Sequence, residues 1–283
     1  MAKAGNELRF SLGDIVISLN PASINSCRLY NNSYRRFVTK EKADINLKII
    51  ERLYDNQIQE EAFFDVSGTW SISKQGDLRI LRTTSATAVF DKVFTSGSIY
   101  LDDRDSNDGY NFPLEYPLGE ILMINLLSKG KGIILHSCGV SYKNKGFLFV
   151  GSSGAGKSTI AKLWKDKEGV DILNDDRIIV RKDKQGFWMY GTPWYGDVKA
   201  CSSGKVPLEK IFFLRHAAEN SLKALKEIEA VSRLFVCSFP PFWDKQGTDF
   251  TLDFCGCLAG AVSCHDFGFL PDQSSLDFID SCP

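Results

Sequence analysis

Gly151-Ser-Ser-Gly-Ala-Gly-Lys-Ser-Thr159 is the stretch that decides how the chain is read. It fits G-x-x-x-x-G-K-[ST], a loop whose successive backbone N–H groups close around anionic oxygens. Before it, Gly146-Phe-Leu-Phe-Val150 is a short apolar run of strand formers, and after it Ile160, Leu163 and Trp164 recur at helical spacing. The expected context is strand, loop, helix, with the free N–H groups of the helix start added to those of the loop. Lys157 would reach the outer phosphates and the Ser158 hydroxyl would sit on Mg²⁺. Gly151, Gly154 and Gly156 would let the backbone approach without a Cβ in the way, while Ser152, Ser153, Ala155 and Thr159 complete the cradle. A Gly/Ser turn into an ordinary helix is the alternative, and it gives no role to the lysine.

Composition narrows the partners. In 283 residues, 43% are apolar, enough for a large core or two modest ones. The formal charge of -1 and pI near 6.3 argue against a nucleic-acid binder, whose lysines and arginines cluster. Glu7 and Asp14 flank the first apolar stretch, unlike a secretory signal, and runs such as Ile121 to Leu127 are too short for a bilayer. A cytoplasmic protein free of membrane is expected. Its eight cysteines are then expected to be reduced. Cys255-Gly-Cys257 with Cys264-His265 has zinc-ligating atoms without the usual spacing, so buried or idle thiols are the reading preferred.

Residues 1–117 read as a β-rich domain. Leu8, Phe10 and Leu12 alternate with polar neighbours and resume at Ile15, Ile17 and Leu19, which predicts a hairpin; Trp70–Ile72 and Leu78–Leu81 predict another. Ala88–Phe90 and Ser98–Leu101 are further strands, and Lys42–Leu53 is a helical candidate. Asp103, Asp105 and Asn107 imitate a calcium loop, but Gly109 comes one place late and Leu114 stands where a bidentate Glu is needed, so a solvated acidic turn is preferred.

Residues 118–283 read as a second domain, opening at Pro117 with an apolar helix from Leu118 to Ser128. Strands are expected at Gly132–Ser141, Gly146–Val150, Val170–Leu173, Ile178–Val180, Phe187–Tyr190 and Ile211–Leu214. Ser221–Phe235 is a helical candidate, Leu252–Val262 a short apolar segment, and a last helix follows Pro271.

A phosphate loop names a ligand; a reaction also needs an acid that holds metal or takes a proton. Asp175 and Asp176 end a short apolar strand and would stand at the sheet edge of the loop, although neighbours on a strand point apart unless the chain turns. A solvated Asp-Asp-Arg cap is the other reading. His136 closes the strand Ile133-Ile-Leu135, and hairpin pairing would bring that end near the phosphate loop, where it could share a proton with a carboxylate. A satisfied, half-buried histidine is equally open. His216 and His265 are taken as structural.

Together, Leu135-His-Ser-Cys-Gly139, Gly151 to Thr159 and Asn174-Asp-Asp-Arg177 resemble, in order and spacing, the catalytic core of the HPr kinase/phosphorylase family, within the wider phosphoenolpyruvate carboxykinase-like group. The loop Gly191-Thr-Pro-Trp194 and the ending Phe269-Leu-Pro-Asp272 look closer to HPr-kinase-related proteins of unassigned or peptide-tailoring function than to HPr kinase itself. The resemblance implies an α/β fold, a mixed β-sheet P-loop kinase core like the HPr kinase C-terminal domain, behind a β-rich N-terminal domain. It implies ATP and Mg²⁺ on Gly151 to Thr159, with Ser158 and Asp176 toward the metal. Asp175 would be the base, His136 its support and Arg177 a charge stabiliser. Thr159 stands where HPr kinases carry Glu, and neither their phosphorylase signature nor their regulatory domain is matched. The expected activity is γ-phosphoryl transfer to a hydroxyl, serine foremost, of a peptide or protein; a small-molecule kinase and a nucleotide-gated binding module are the alternatives. A homo-oligomer is compatible with the resemblance.

Overall fold

The computed structural model describes residues 7–21, 32–55, 61–101 and 112–281. These form two compact units, one ending at Leu126 and the other beginning at Leu127. The calcium-like residues Asp103, Asp105, Asn107 and Gly109 lie outside the described residues, whereas Leu114 is buried. Among the described residues no helix is long and apolar enough to cross a membrane.

The first unit is one eight-stranded mixed sheet. Its strands are β1 (Leu8–Leu12), β2 (Ile15–Pro21), β3 (Ile45–Glu51), β4 (Glu61–Val66), β5 (Trp70–Gln75), β6 (Leu78–Thr83), β7 (Ala86–Phe90) and β8 (Ser96–Leu101). The expected β1–β2 and β5–β6 hairpins form, and the sheet order is β1-β2-β3-β8-β7-β6-β5-β4. The helix expected over Lys42–Leu53 is a correction: Ile45, Leu47 and Ile49 are buried while Asn46 and Lys48 are exposed, a period of two that puts β3 between β2 and β8. The isoleucines, stiff at χ1, suit the pleat better than a helix. β4, largely exposed, lacked the apolar alternation that announces a strand. α1 (Leu118–Leu127) follows as expected, with Ile121, Leu122, Met123 and Leu126 buried.

The second unit carries β9 (Ile133–Tyr142), β10 (Lys145–Val150), α2 (Lys157–Lys165), β11 (Val170–Asn174), β12 (Arg177–Asp183), β13 (Gly186–Tyr190), β14 (Lys205–His216), β15 (Ser221–Ala224), α3 (Glu227–Val236), α4 (Lys245–Ala261), β16 (Ser263–Phe269) and α5 (Ser274–Ser281). It is α/β with a mixed sheet. β9 and β10 form a hairpin over Lys143 and Asn144, both at positive φ (51° and 59°), as a two-residue turn between twisted strands requires. Pairings run β9–β12–β13–β14–β10 and return to β9, so the sheet curls on itself. β14 is parallel to both β10 and β16. Ser221–Phe235 divides into β15 and α3, because Ser221–Ala224 is taken up as an edge against β16. The segment expected from Leu252 belongs to the longer α4, started by Asp244, whose carboxylate accepts from the Gln246 N–H.

Two cores hold this unit. Leu135, Leu148, Val150, Ile178 and Val180 pack with Leu234 of α3 and Cys255 and Leu258 of α4. Val140, Phe149 and Phe212 pack with Ile160 and Trp164 of α2 and Leu276 of α5. Each such side chain contributes about 1.5–3 kcal/mol on burial, so β10 is anchored from both faces and α2, which follows the loop after it, from one.

Candidate functional site

β10 ends at Val150, and the chain passes through Gly151–Gly156 into α2. Ser152, Ser153 and Gly154 are exposed, Lys157 is buried, and Ala155, Ser158 and Thr159 are intermediate. Gly154 and Gly156 take left-handed backbone (φ 81° and 103°), which curls the N–H groups inward. Two of the glycines answer to packing as well. A Cβ on Gly151 would lie 2.6 Å from Cβ of Ala155, and one on Gly156 would lie 2.4 Å from Cζ of Phe269. Lys157 Nζ donates to the carbonyls of Gly151 (2.8 Å) and Ser152 (2.9 Å), so its ammonium marks one end of the loop. The first N–H groups of α2 have no partner within the helix.

Opposite stand the tandem acids, which the chain parts. Asn174, fully buried, accepts from the N–H groups of Asp176 and Arg177 (both 2.7 Å) and donates to the Thr192 carbonyl (2.8 Å). That turn sends the two carboxylates to different places. Asp175 is buried, its oxygens accepting from Gly196 N–H (2.9 Å) and Val198 N–H (2.8 Å), and so it pins the loop 191–200. The base role expected of Asp175 does not fit a carboxylate that is buried with both oxygens held by loop amides. Asp176 is instead the accessible acid, with a side chain 28% exposed, 2.9 Å from His136 Nε2 and ion-paired to Arg177. Burial opposes its charge, but the hydrogen bond from His136 and the charges of Arg177, His136 and Lys157 outweigh that, and its pKa lies below the ordinary carboxylate value. Burial lowers the Lys157 pKa while the charge of Asp176 holds it up.

His136 reaches this position through strand pairing, as the hairpin argument requires. Val150 pairs with Ser137, so His136 is the next residue of β9 beyond the point where β10 departs, and across the other edge it pairs with Arg177. The place β10 vacates is filled by residues 237–239: His136 N–H donates to the Cys237 carbonyl (2.7 Å) and Phe239 N–H to the Ile134 carbonyl (3.2 Å). Phe239 then lies under the Arg177 guanidinium, 4.4 Å from its ring centroid.

Sequence reasoning missed four contributors. Asn174 sat inside a quoted motif, and a known preference of Asn for bonding its own backbone two residues on was the available signal. Phe269 sat in the quoted ending Phe269-Leu-Pro-Asp272 without a role being read from it, and residues 237–239 and His216 carried no signal, since each arrives through distant pairing. His216, set aside as structural, pairs with Phe269 across β14–β16; its Nε2 donates to the Gly154 carbonyl at 3.1 Å, and its ring lies 5.4 Å from that of Phe269. Cys255 is buried and Cys257 exposed on α4, so the two face apart.

For Mg²⁺, the chain offers the hydroxyl of Ser158 and the carboxylate of Asp176, hard oxygen donors of the kind this ion takes alongside phosphate oxygens. Each carboxylate oxygen of Asp176 keeps lone-pair capacity beyond its one bond to His136 or Arg177. The donor set fits. No protein-family model matches the chain, and no curated protein matches it.

Proposed function

We propose that the protein is an ATP- and Mg²⁺-dependent kinase of the HPr-kinase-like kind, with a P-loop kinase core, that moves the γ-phosphoryl group to a serine hydroxyl of a peptide or protein. The observation that carries this reading is geometric: Asp176, with His136 and Arg177 on its carboxylate, accepts at its carbonyl from Ser137 N–H (3.1 Å), and Ser137 pairs with Val150, the residue that leads into the lysine-bearing loop.

In this reading the loop amides and the first turn of α2 bind the phosphates, and Lys157 leaves the carbonyls of Gly151 and Ser152 for the outer phosphate oxygens. Ser158, supported by Asp176, would hold Mg²⁺, which neutralises charge on the outer phosphates when bound. The acceptor oxygen forms its bond to the γ-phosphorus as the bond from that phosphorus to the bridging oxygen breaks, and ADP departs with the electron pair. Asp176 takes the hydroxyl proton. Ionised at neutral pH, it is ready for that proton, and His136 fixes its orientation while Arg177 spreads its charge. Asp175 positions the loop 191–200 beside this acid.

The test is transfer of γ-labelled phosphate from ATP to serine peptides, with wild type against Lys157→Ala. Labelling is expected for wild type and to fall by about 10²-fold or more for the variant. Equal labelling by the two would end the assignment.

A further inference from the structure

We propose that the cleft beside the start of the phosphate loop is the acceptor's specificity pocket, and that it takes an uncharged, apolar side chain flanking the phosphorylated serine. The inference rests on the kinase reading above and adds the substrate class.

The cleft has a volume of about 290 Å³, enough for one large side chain. Val150, Phe213, Leu214 and Val236 make its apolar walls, and Gly151 and Ser152 form the edge toward the loop. It lies on the α3 side of the sheet, since Val150 and Phe213 belong to the core that α3 and α4 cover. Its one cation, Arg233, is bound to Asp266 at 2.8 Å, and its guanidinium is 5.7 Å from the Phe213 ring centroid. No free charge is left there to select a charged side chain.

Position assigns the cleft to the acceptor and not to the nucleotide base. In a loop of this kind the lysine goes to the outer phosphates while the loop amides hold the inner ones. Lys157 rests against the carbonyls of Gly151 and Ser152, the two loop residues that border the cleft, so the cleft adjoins the end of the loop from which the lysine sets out toward the outer phosphates. The opposite wall is Cys237, whose carbonyl accepts from His136 N–H and whose thiol senses the charge of Lys157. The cleft therefore lies between the start of the loop and the segment whose backbone is bonded to His136. The mouth continues along α3, where Val236 is 80% exposed and Ile228, two turns earlier on the same face, is 71% exposed.

The experiment uses the full chain with ATP and Mg²⁺ on two sets of serine peptides, identical except that the residues flanking serine are Leu or Phe in one and Asp or Lys in the other. Wild type is expected to favour the apolar set. Val236 is at the surface, so Val236→Asp and Val236→Lys fold, and each is expected to reduce that preference about tenfold or more, the first shifting it toward Lys-flanked and the second toward Asp-flanked peptides. An unchanged preference in both variants overturns the pocket. So does a tenfold loss of affinity for a fluorescent ATP analogue in either, which would give the cleft to the base. If wild type binds that analogue, Lys157→Ala does not, and no peptide is labelled, the pocket falls while nucleotide binding stands; if wild type fails to bind it, the kinase reading falls first.

Discussion

Gly156→Ala tests the construction of the Gly151–Gly156 loop in a way that separates backbone strain from crowding. Gly156 has φ 103°, where an L side chain is strained by about 1–3 kcal/mol. The added methyl would also lie 2.4 Å from Cζ and 2.9 Å from Cε1 of Phe269. Phe269 is fully buried among Phe267, Phe212 and Leu276, so its ring cannot swing into solvent, and overpacking adds about 1–3 kcal/mol. The variant is expected to lose about 2–6 kcal/mol in all. Phe269→Leu removes the atom that would collide and by itself costs about 1–2 kcal/mol, within the ordinary range for a single substitution. The double variant should therefore recover the crowding share and keep the strain, giving a favourable coupling of about 1–3 kcal/mol. Native-state hydrogen exchange at the amides of β10 and α2 reads this unit without the other, and binding of a fluorescent ATP analogue follows the same cycle. Affinity should return only in part, because the loop backbone stays distorted. Additive costs, within about 0.5 kcal/mol, would refute the claim that Phe269 sets the loop, and a neutral Gly156→Ala would refute the strained geometry itself.

Three further outcomes follow from the site. Asp176→Asn should lower phosphoryl transfer about 10²–10⁴-fold while the protein still binds nucleotide; transfer within threefold of wild type would remove Asp176 as the proton acceptor. Asp175→Ala breaks two hydrogen bonds to a buried carboxylate, a loss of about 3–5 kcal/mol, and the Gly196 and Val198 amides should lose exchange protection that β12 retains; unchanged protection at both would refute the pinning. Because the folded pKa of Asp176 is depressed, its stabilisation should be complete above the unfolded carboxylate value near ~4 and be lost as pH falls through the folded value. The stability difference between wild type and Asp176→Asn should then shrink as the carboxylate is protonated in acid, and a difference that persists at the acid end would refute the charge-based account.

The loop was legible because its information is local: glycines, a lysine and a hydroxyl at fixed spacing, between an apolar run and a helical period. The hairpin β9–β10 was legible too, and from it the placement of His136, since antiparallel pairing through a short turn fixes which residue meets the departing strand. What escaped was decided at a distance. Ile45 to Leu53 holds isoleucines at both periods, and only the pairing of β3 with β2 and β8 selects the pleat. α4 reads poorly because Gly247, Gly256, Gly260 and Thr251 interrupt its apolar stripe, although Gly247 is close-packed against Pro241 and Ser128 and Thr251 is buried with its hydroxyl bonded to the Gly247 carbonyl. The tandem acids could not be told apart by sequence, because what separates them is Asn174 bonded to Thr192 and two amides of a loop more than twenty residues on.

That separation bears on why this sheet can build a site at all. β10, β14 and β16 run parallel and side by side, so their carboxyl ends deliver Gly151, His216 and Phe269 to one edge, where ligands of α/β sheets collect. Parallel strands alone would supply the cradle and its supports but no acid facing it. The acid comes from antiparallel neighbours: β9 extends past the end of β10, and its freed edge is claimed by residues 237–239 on one side and by Arg177 of β12 on the other. His136 sits at that handover, between Cys237 and Arg177, and Asp176 is carried to it by the turn that opens β12. The same handover leaves a gap between the departing loop and residue 237, and that gap is the cleft. Mixed pairing thus explains the cradle, the acid and the pocket as consequences of one strand ending early beside a longer one.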